Sequence, residues 1–412
     1  MPIPAYAEDT TWSDNYAGSG GAIYEEGSTY SEGGAIYITE NASFTTCTMT
    51  NNAAGEGGAM SVSTGTTTLT GCDISGNYVP YYAGGSGTYL YYSTMTAEDT
   101  TWSDNYAGYG GAIYASSSNL NMILESVYNN EAAYFGGGLF ITSSVLNLDD
   151  SYITNNTVED GGGGIFSSAS ITSILRCSFQ DNDANYGGVA YLQSSSTLSL
   201  DNASMNGNLA DYGGGIYATG SMTVVTSTIF IGNHARYYGA GIYSDSSDEE
   251  AVIKDSQFVN NVAGILGGGV YFADIIYDIS NSIFDSNEAT NGGAVYANQA
   301  TLTIKDSRFY HNAALYTGSF NDDVTNNGGA VYAKFYSELY FLNSSIFNNT
   351  AMADYSGQYV GEGGGIYAEF SEIVASDTKV FSNVAAKKGG GISAQYSSIY
   401  SENSIFTYNV AK

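Results

Sequence analysis

The side chains that could carry out acid–base chemistry are few and scattered. Cleavage of acidic polysaccharides needs paired carboxylic acids, or clustered carboxylates that bind calcium beside a basic residue. Arg176, Arg236 and Arg308 fall in different copies of a repeated pattern, and His234 and His311 lie far apart in it. We expect no Asp-Asp pair beside a basic residue on a common strand. We therefore predict that the chain is not an enzyme, and keep a polysaccharide lyase or hydrolase as a third alternative.

The charge balance excludes two classes of partner. The 412 residues include 41 acidic and 10 basic side chains, which give a formal net charge of −31. Such a surface repels the phosphates of nucleic acid and the anionic headgroups of a membrane. The first residues lack the basic and apolar segments of a signal peptide, and no stretch of about 18 apolar residues occurs. We therefore expect neither nucleic-acid binding nor membrane insertion.

A glycine motif repeats along the chain. It reads Gly-Gly, a small residue, an aliphatic residue and an aromatic residue, and successive copies between Gly84 and Gly239 start about 26 residues apart. Copies start at Gly20, Gly33, Gly110, Gly136, Gly162, Gly187, Gly213, Gly239, Gly267, Gly292, Gly328 and Gly363, with weaker ones at Gly57, Gly84 and Gly389. Each interval is interpreted as one turn of a solenoid.

A second motif precedes the glycine motif in each turn. It has a small residue, a large apolar residue two positions later and Asn three positions further on, as in Ser256, Phe258 and Asn261. A third stretch alternates apolar and polar residues, as in Leu198 and Leu200, and no helical periodicity is present. Each strand must then pair with its equivalent one turn later, with right-handed crossovers. We predict an all-β fold, a right-handed parallel β-helix solenoid of about 15 turns of about 26 residues with three strands each, in a single domain over residues 1–412.

The residue types at the motif positions can be explained physically. Glycine tolerates positive φ and fits a corner without room for Cβ. Asparagine tolerates the left-handed conformation, and stacked amides can hydrogen bond along the axis. The structural ladder predicted at this corner contains Asn182, Asn208, Asn233, Asn261, Asn287 and Asn312, with further copies of the motif ending at Asn15, Asn52, Asn77, Asn105, Asn130, Asn156, Asn383 and Asn409.

The pairing of the two motifs resembles the repeats of the polymorphic outer membrane proteins, autotransported surface adhesins whose passenger is a β-helix. The stretches that begin at Gly110 and Gly292 match its Gly-Gly-Ala-aliphatic half, and Phe284 with Asn287 matches its Phe-x-x-Asn half. The likeness covers almost the whole chain. It implies a β-helix, and it implies adhesion to host or environmental glycans or proteins. The sequence departs from the family pattern in one respect, because its residues do not include a C-terminal membrane barrel. We therefore do not expect secretion by the autotransporter route.

The aromatic residue of the glycine motif has the opposite parity to the aliphatic one, so the two face opposite sides of the sheet. If the aliphatic residues fill the core, the aromatic ones form an outer row that neighbouring Ala or Gly leaves uncovered. The row could bind a second copy of the chain or sugar rings; the alternatives are a self-stacking ladder that only stabilises the sheet, and inverted parity. The row contains Tyr24, Tyr37, Tyr114, Phe140, Phe166 and the candidate binding residues Tyr191, Tyr217, Tyr243, Tyr271, Tyr296, Tyr332 and Tyr367.

Two consecutive turns carry longer corner segments, 313–327 and 351–362. Insertions on one face of a solenoid often form its binding face. Asp322, Asp323 and Asp354 could bring carboxylates together there and hold calcium; a surface loop without a ligand is the alternative. No other metal or cofactor is expected.

Five Asn-x-Ser/Thr sequences fit N-glycosylation of a secreted protein, although a chain rich in these residues also yields them by chance. Their asparagines are Asn41, Asn155, Asn202, Asn343 and Asn348. We expect less glycosylation at Asn155 and Asn348, because both lie inside the corner motif.

Cys47 and Cys72 occupy the same motif position in adjacent turns. Parallel side chains in register make poor disulfides, so we predict two buried thiols.

The repeat itself indicates a role. Residues 7–18 recur unchanged at 97–108, and both ends of the sequence lie within the repeat pattern without a polar cap. We therefore predict an extracellular or cell-surface structural protein, a β-helical rod that self-associates end to end or laterally into filaments or a surface layer. A surface adhesin that binds glycans or proteins is the alternative.

Overall fold

The computed structural model describes residues 5–15, 23–24, 34–80, 82–247, 251–315, 325–353 and 361–412. The chain divides into two compact units, Met1–Leu198 and Ser199–Lys412. In both units the elements of the described residues are β-strands, and no helix there is long and apolar enough to cross a membrane. The chain makes about 14 turns, in agreement with the prediction of about 15, and each turn contributes to three sheets. The predicted parallel β-helix is confirmed.

Each turn follows the order that the motifs predict, with one refinement. The stretch after the glycine corner forms two short strands of the first sheet, such as Ile113–Ser116 and Asn119–Ile123, separated by a bend. The apolar stretch before Asn forms the second sheet, and the residues after Asn form the third. In Met60–Thr70 and Thr88–Glu98 the first-sheet strand is continuous. The two segments are therefore one bent strand, and three strands per turn remain the basic plan.

The first unit has the following strands, sheet by sheet. First-sheet strands are Ala5–Glu8, Ile23–Tyr24, Ile36–Ile38, Ala42–Thr45, Met60–Thr70, Thr88–Glu98, Ile113–Ser116, Asn119–Ile123, Leu139–Thr142, Val145–Asp149, Ile165–Ser168, Ile171–Leu175 and Ala190–Gln193. Second-sheet strands are Thr11–Ser13, Thr48–Thr50, Asp73–Ser75, Thr101–Ser103, Ser126–Tyr128, Tyr152–Thr154 and Ser178–Gln180. Third-sheet strands are Tyr106–Tyr109, Glu131–Phe135, Thr157–Val158 and Asp183–Tyr186.

The second unit repeats this plan; its first strand, Thr197–Asp201, begins two residues before Ser199, where the unit starts. First-sheet strands are Thr197–Asp201, Ile216–Thr219, Met222–Thr226, Ile242–Asp245, Ala251–Lys254, Val270–Ala273, Ile276–Ser280, Val295–Asn298, Thr301–Lys305, Val331–Lys334, Glu338–Leu342, Ile366–Glu369, Glu372–Ser376, Ile392–Gln395 and Ser398–Glu402. Second-sheet strands are Ser204–Asn206, Ile229–Ile231, Gln257–Val259, Ile283–Asp285, Arg308–Tyr310, Ser345–Phe347, Lys379–Phe381 and Ile405–Thr407. Third-sheet strands are Leu209–Tyr212, His234–Tyr238, Val262–Ala263, Glu288–Ala289, Ala313–Ala314, Thr350–Ala351, Val384–Ala385 and Val410–Ala411.

Strands pair with their counterparts one turn away, in parallel and in register. In the first unit Ile113 aligns with Leu139, and in the second Ile242 aligns with Val270. Equivalent residues of successive turns therefore form columns along each unit. A residue at one motif position contacts the residue at the same position in the next turn.

The glycine corners require glycine. Gly110 has φ 62°, and a Cβ on it would lie 2.3 Å from the carbonyl oxygen of Ile113. Gly292 repeats this geometry in the second unit, with φ 64° and 2.3 Å to the oxygen of Val295. The left-handed backbone and the missing Cβ are both needed here, as the motif predicts.

The core of each unit is built from the inward side chains of the motifs. In the second unit the apolar residues of the second motif form a ring stack inside the coil, with centroids 4.6 Å apart for Phe230 and Phe258 and 4.8 Å apart for Phe258 and Phe284. In the first unit the same position holds the fully buried Trp102 and Phe179. The large apolar residue before Asn is thus a core residue.

Candidate functional site

The motif asparagines form a buried hydrogen-bonded column in each unit. The amide and the backbone N–H of Asn233 both donate to Oδ1 of Asn261 at 3.0 Å. Nδ2 of Asn261 then donates to Oδ1 of Asn287 at 3.0 Å and to the carbonyl oxygen of Phe230 at 2.9 Å. The first unit holds Asn15, Asn52, Asn77, Asn105, Asn130, Asn156 and Asn182, and the second holds Asn208, Asn233, Asn261, Asn287, Asn312, Asn349, Asn383 and Asn409. These hydrogen bonds hold successive turns in register.

Two details of this column differ from expectation. The positive φ belongs to the residue before the ladder asparagine, such as Asn260 with φ 54°, and not to Asn261 itself. The preceding residue makes the turn, so the ladder residue keeps an ordinary backbone that directs its amide inward. Asn349 was also missed, although Ser344 and Ile346 complete the motif before it.

The five sequon asparagines all lie on the surface. Asn41, Asn155, Asn202, Asn343 and Asn348 are exposed. Asn155 and Asn348 are the left-handed residues that precede a ladder asparagine, with φ 53° and 54°. Their position inside the corner motif therefore leaves their side chains accessible, because only the following asparagine is buried.

The tyrosine row faces outward but is not uncovered, and that expectation is wrong. Tyr271, Tyr296, Tyr332 and Tyr367 are only 5–8% exposed. Tyr191, Tyr217 and Tyr243 are half-buried.

Two contacts cover the rings. Rings of neighbouring turns contact one another, and Tyr243 stacks on Tyr271 with centroids 4.7 Å apart and planes 7° apart. Tyr238 and Leu266, from the residues just before the glycine corner, pack against the same rings. Burial raises the pKa of Tyr271 to about 12. These rings therefore stabilise the sheet as a self-stacking ladder and leave little face for a ligand.

The ladder changes geometry in the later turns of the second unit. The planes of Tyr296 and Tyr332 are 67° apart, and those of Tyr332 and Tyr367 are 89° apart. The hydroxyl of Tyr332 donates to Glu369 at 3.0 Å, and that of Tyr367 donates to Gln395 at 3.1 Å. The rings turn because their hydroxyls bond across turns.

A cavity of about 430 Å³ opens beside these rings. Its lining includes Tyr332, Lys334 and Glu369, and also Thr325 and Asn327 from the predicted corner segment 313–327. Two features predicted separately, the tyrosine row and the first corner segment, therefore meet here. Asp322, Asp323 and Asp354 lie outside the described residues.

Next to this cavity lies an exposed aromatic patch, formed by Phe335, Tyr336, Phe370 and Tyr396. These residues occupy the bend of the first-sheet strand in three successive turns and have φ between 47° and 61°. A left-handed backbone is unfavourable for bulky side chains. In most other turns the bend holds a smaller or polar residue, at Ser117, Ser143, Ala169, Ser194, Gly220, Ser246, Asp274 and Gln299; Tyr92 is the exception in the first unit.

The rings of the aromatic patch are open to solvent. Tyr336 is 81% exposed and Tyr396 is 75% exposed, while Phe335 and Phe370 are 42% and 41% exposed. Phe370 and Tyr396 stack with centroids 4.9 Å apart. This exposed aromatic surface was not predicted from the sequence; it lies at the bend that follows the strands of the tyrosine row.

Carboxylates flank the patch. A groove of about 270 Å³ runs beside Tyr336, Phe370 and Tyr396 and is also lined by Glu338 and Glu372. These two glutamates are register neighbours on adjacent strands, Glu338 exposed and Glu372 half-buried. On the other side, Nζ of Lys334 lies 4.6 Å from the ring centroid of Phe335. The arrangement combines exposed ring faces with negative charge.

The first unit contains one charged cluster that the sequence analysis missed. The guanidinium of Arg176 donates to Oδ1 of Asp150 at 2.8 Å and to Oδ2 of Asp149 at 2.6 Å. The hydrogen bond from Arg176 holds the pKa of Asp150 below its usual range. The signal was present, since Arg176 follows Asp150 by 26 residues, one turn. Arg176 therefore offsets part of the negative charge of Asp149 and Asp150 on the surface.

Two further predictions concern metals and cysteines. Among the described residues, no group of three or more His, Cys, Asp or Glu side chains could hold a metal ion. Cys47 and Cys72 are free and buried, so that prediction is confirmed. The thiol of Cys72 points to the carbonyl oxygen of Phe44 at 3.5 Å.

Comparison with known proteins supports the same architecture. The profile of the family described as right handed beta helix region matches residues 15–149 and 144–273, more than half of the chain. No curated protein and no solved structure matches the chain. With its parallel strands, glycine corners and family match, the chain belongs to the right-handed β-helix family.

Proposed function

We propose that the chain is an extracellular structural protein without catalytic activity, which assembles into filaments or a surface layer. The observation that carries this proposal is the buried asparagine column repeated in both units. A buried amide column fixes the register of each turn, because a slip would leave several donors and acceptors unpaired. Such an interior suits a rigid element that keeps its shape.

Electron microscopy and analytical ultracentrifugation of the purified chain at rising concentration test the assembly. We expect particles that lengthen or associate laterally as concentration increases. Monodisperse monomers at every concentration would rule out self-association.

The extracellular location is proposed on the exposed sequons and the acidic surface. All five acceptor asparagines are accessible, and the charge of −31 suits neither nucleic-acid binding nor membrane insertion. Expression through a eukaryotic secretory pathway, followed by enzymatic removal of N-glycans, should lower the mass of the chain. An unchanged mass would argue against a glycoprotein.

A surface adhesin is the second candidate, and the aromatic patch favours it. Large exposed apolar groups rimmed by polar ones mark interaction sites on soluble proteins. The Gly-Gly-Ala-aliphatic and Phe-x-x-Asn repeats, similar to those of the polymorphic outer membrane proteins, support the same alternative. A screen of glycans and surface proteins tests it; binding lost on changing the patch would favour adhesion over a purely structural role.

The proposal of no catalysis has its own test. Incubation with pectin-like polymers should release no new chain ends. Cleavage that is lost on changing one carboxylate, such as Asp150→Asn, would overturn it.

A further inference from the structure

We propose that the aromatic patch binds a lysine- or arginine-rich segment of a partner protein. This inference deepens the adhesive alternative by naming the chemistry of the partner, and it does not depend on filament formation. It rests on the exposed rings, the paired glutamates beside them and the charge of the whole chain.

The fold does not require aromatic residues at this bend. The same bend is formed by Ser117 and Ser143 in the first unit and by Ser246 in the second. Phe370 and Tyr396 adopt the same left-handed backbone at greater steric cost and place their rings in solvent. Exposed aromatic faces attract ammonium and guanidinium groups. Lys334 already lies over the Phe335 ring at 4.6 Å, so a cation can adopt this geometry within the patch.

A positive charge beside the paired glutamates would reduce the repulsion between their carboxylates. Glu338 and Glu372 are register neighbours on adjacent parallel strands, which lie about 4.8 Å apart. Like charges in neighbouring strand positions repel each other. Both glutamates line the same groove as Tyr336, Phe370 and Tyr396. A lysine or arginine side chain in this groove would contact ring faces and carboxylates together.

The charge of the whole chain favours a basic partner over a glycan. A net charge of −31 attracts a cationic segment from a distance and repels a polyanionic sugar. A neutral sugar could stack on the rings, but it would leave the repulsion between Glu338 and Glu372 in place. The patch extends over three successive turns, which suits a segment with several basic residues.

The test measures the affinity of the full chain for fluorescently labelled decalysine and decaarginine peptides, at about 150 mM NaCl to suppress non-specific attraction. The variant Tyr336→Ser/Phe370→Ser/Tyr396→Ser keeps the net charge, and serine already occupies this bend in other turns. We expect its dissociation constant to rise about tenfold. The control Tyr128→Ser/Tyr152→Ser removes two exposed tyrosines of the first unit and should bind as the parent does.

A second pair of variants tests the carboxylates. Glu338→Gln/Glu372→Gln should also weaken peptide binding by about tenfold. Asp181→Asn/Asp201→Asn removes the same amount of charge at exposed positions elsewhere and should change it little. Unchanged melting temperatures show that the variants are folded.

Three outcomes would overturn the inference. If the serine variant binds the peptides as the parent does, the attraction is non-specific. If the parent instead binds a neutral glucan oligosaccharide through the patch and the peptides are unaffected, the partner class is wrong while the adhesive alternative stands. If neither probe binds, the inference fails and the patch no longer supports the adhesive alternative.

Discussion

Glu125 occupies an interior position that neighbouring turns give to Thr100 and Ser151. It is fully buried, and no hydrogen bond of good geometry reaches either carboxyl oxygen. At the equivalent position, Ser151 donates to the carbonyl oxygen of Asp149 at 2.7 Å and accepts the N–H of Glu125 at 2.9 Å. Burial raises the pKa of Glu125 to about 9, so its carboxyl group is neutral at physiological pH.

The first prediction is that Glu125→Ser stabilises the protein, increasingly so as pH rises. An unfolded Glu has a pKa near about 4.3, so between that pH and about 9 the folded state holds one more proton than the unfolded state. Stability contributed by this group is therefore fully present at low pH and lost as pH rises, by at most about 1.4 kcal/mol per pH unit. Urea unfolding at about pH 5, 7 and 9 measures the difference in the free energy of unfolding between the variant and the parent.

The matched control for this prediction is Glu131→Ser, which removes an exposed glutamate of the same unit. Glu131→Ser measures the effect of losing an exposed carboxylate, whereas the charge that Glu125→Ser removes at neutral pH is carried by the unfolded state alone, because the folded carboxyl is neutral. A stability gap between Glu125→Ser and the parent that stays constant with pH would contradict a buried neutral carboxyl.

The second prediction concerns the thiols. Cys47, Cys72 and Cys177 are free and buried, and burial raises the pKa of Cys177 to about 12. Since the thiolate is the reactive form, the folded chain should not react with a thiol reagent at neutral pH. Addition of denaturant should expose all the cysteines, whereas an added surface thiol, Ser401→Cys, should react at once. Rapid labelling of the native parent would contradict the buried positions.

At the scale of elements, the asparagine column couples neighbouring turns. The third prediction is that Asn261→Ala lowers the free energy of unfolding by about 3 kcal/mol, because the buried backbone N–H of Asn233 loses its acceptor and Oδ1 of Asn287 loses one of its two donors. Chemical denaturation measures the loss. Gln257→Ala, an exposed change on the preceding second-sheet strand, should have an effect within about 0.5 kcal/mol. Equal effects of the two substitutions would mean that the column does not stabilise the turns.

The aromatic columns show why position within an element matters more than residue type. Tyr271 and Tyr336 both follow a glycine corner, the first on a first-sheet strand and the second on its bend, yet Tyr271 is 8% exposed and Tyr336 is 81% exposed. Tyr271 lies where Tyr238 and Leu266 pack over it. The bend is beyond the reach of those covering residues, so its rings remain available for binding.

At the scale of the whole molecule, charge opposes the compact state. With 41 acidic and 10 basic side chains, unfolding relieves self-repulsion. The fourth prediction is that the melting temperature rises as NaCl increases from about 10 to about 300 mM, because the screening length shortens. Tetramethylammonium chloride at equal ionic strength should raise the melting temperature by the same amount as NaCl, since screening does not depend on the cation. A melting temperature that is flat or falling with salt would contradict a stability limited by repulsion.

The repeat, and with it the fold, can be derived from the amino-acid sequence alone. The spacing of Gly110 from Gly136, and of Asn261 from Asn287, specifies one turn, because in a parallel coil each motif residue contacts its equivalent one period later. The alternation of aliphatic and aromatic residues likewise determined which side chains enter the core, since successive side chains of a strand face opposite sides. Both inferences need only local pattern and period.

Which side chains are open on the surface depends on the tertiary structure. The covering of Tyr271 depends on side chains from a different corner, and the buried state of Glu125 depends on the space enclosed by its turn. The left-handed residue before each ladder asparagine, and the bends that expose Tyr336 and Tyr396, follow from backbone angles that residue type does not specify. A period states which residues are neighbours along the coil, whereas exposure depends on how the corners of each turn fold over its faces.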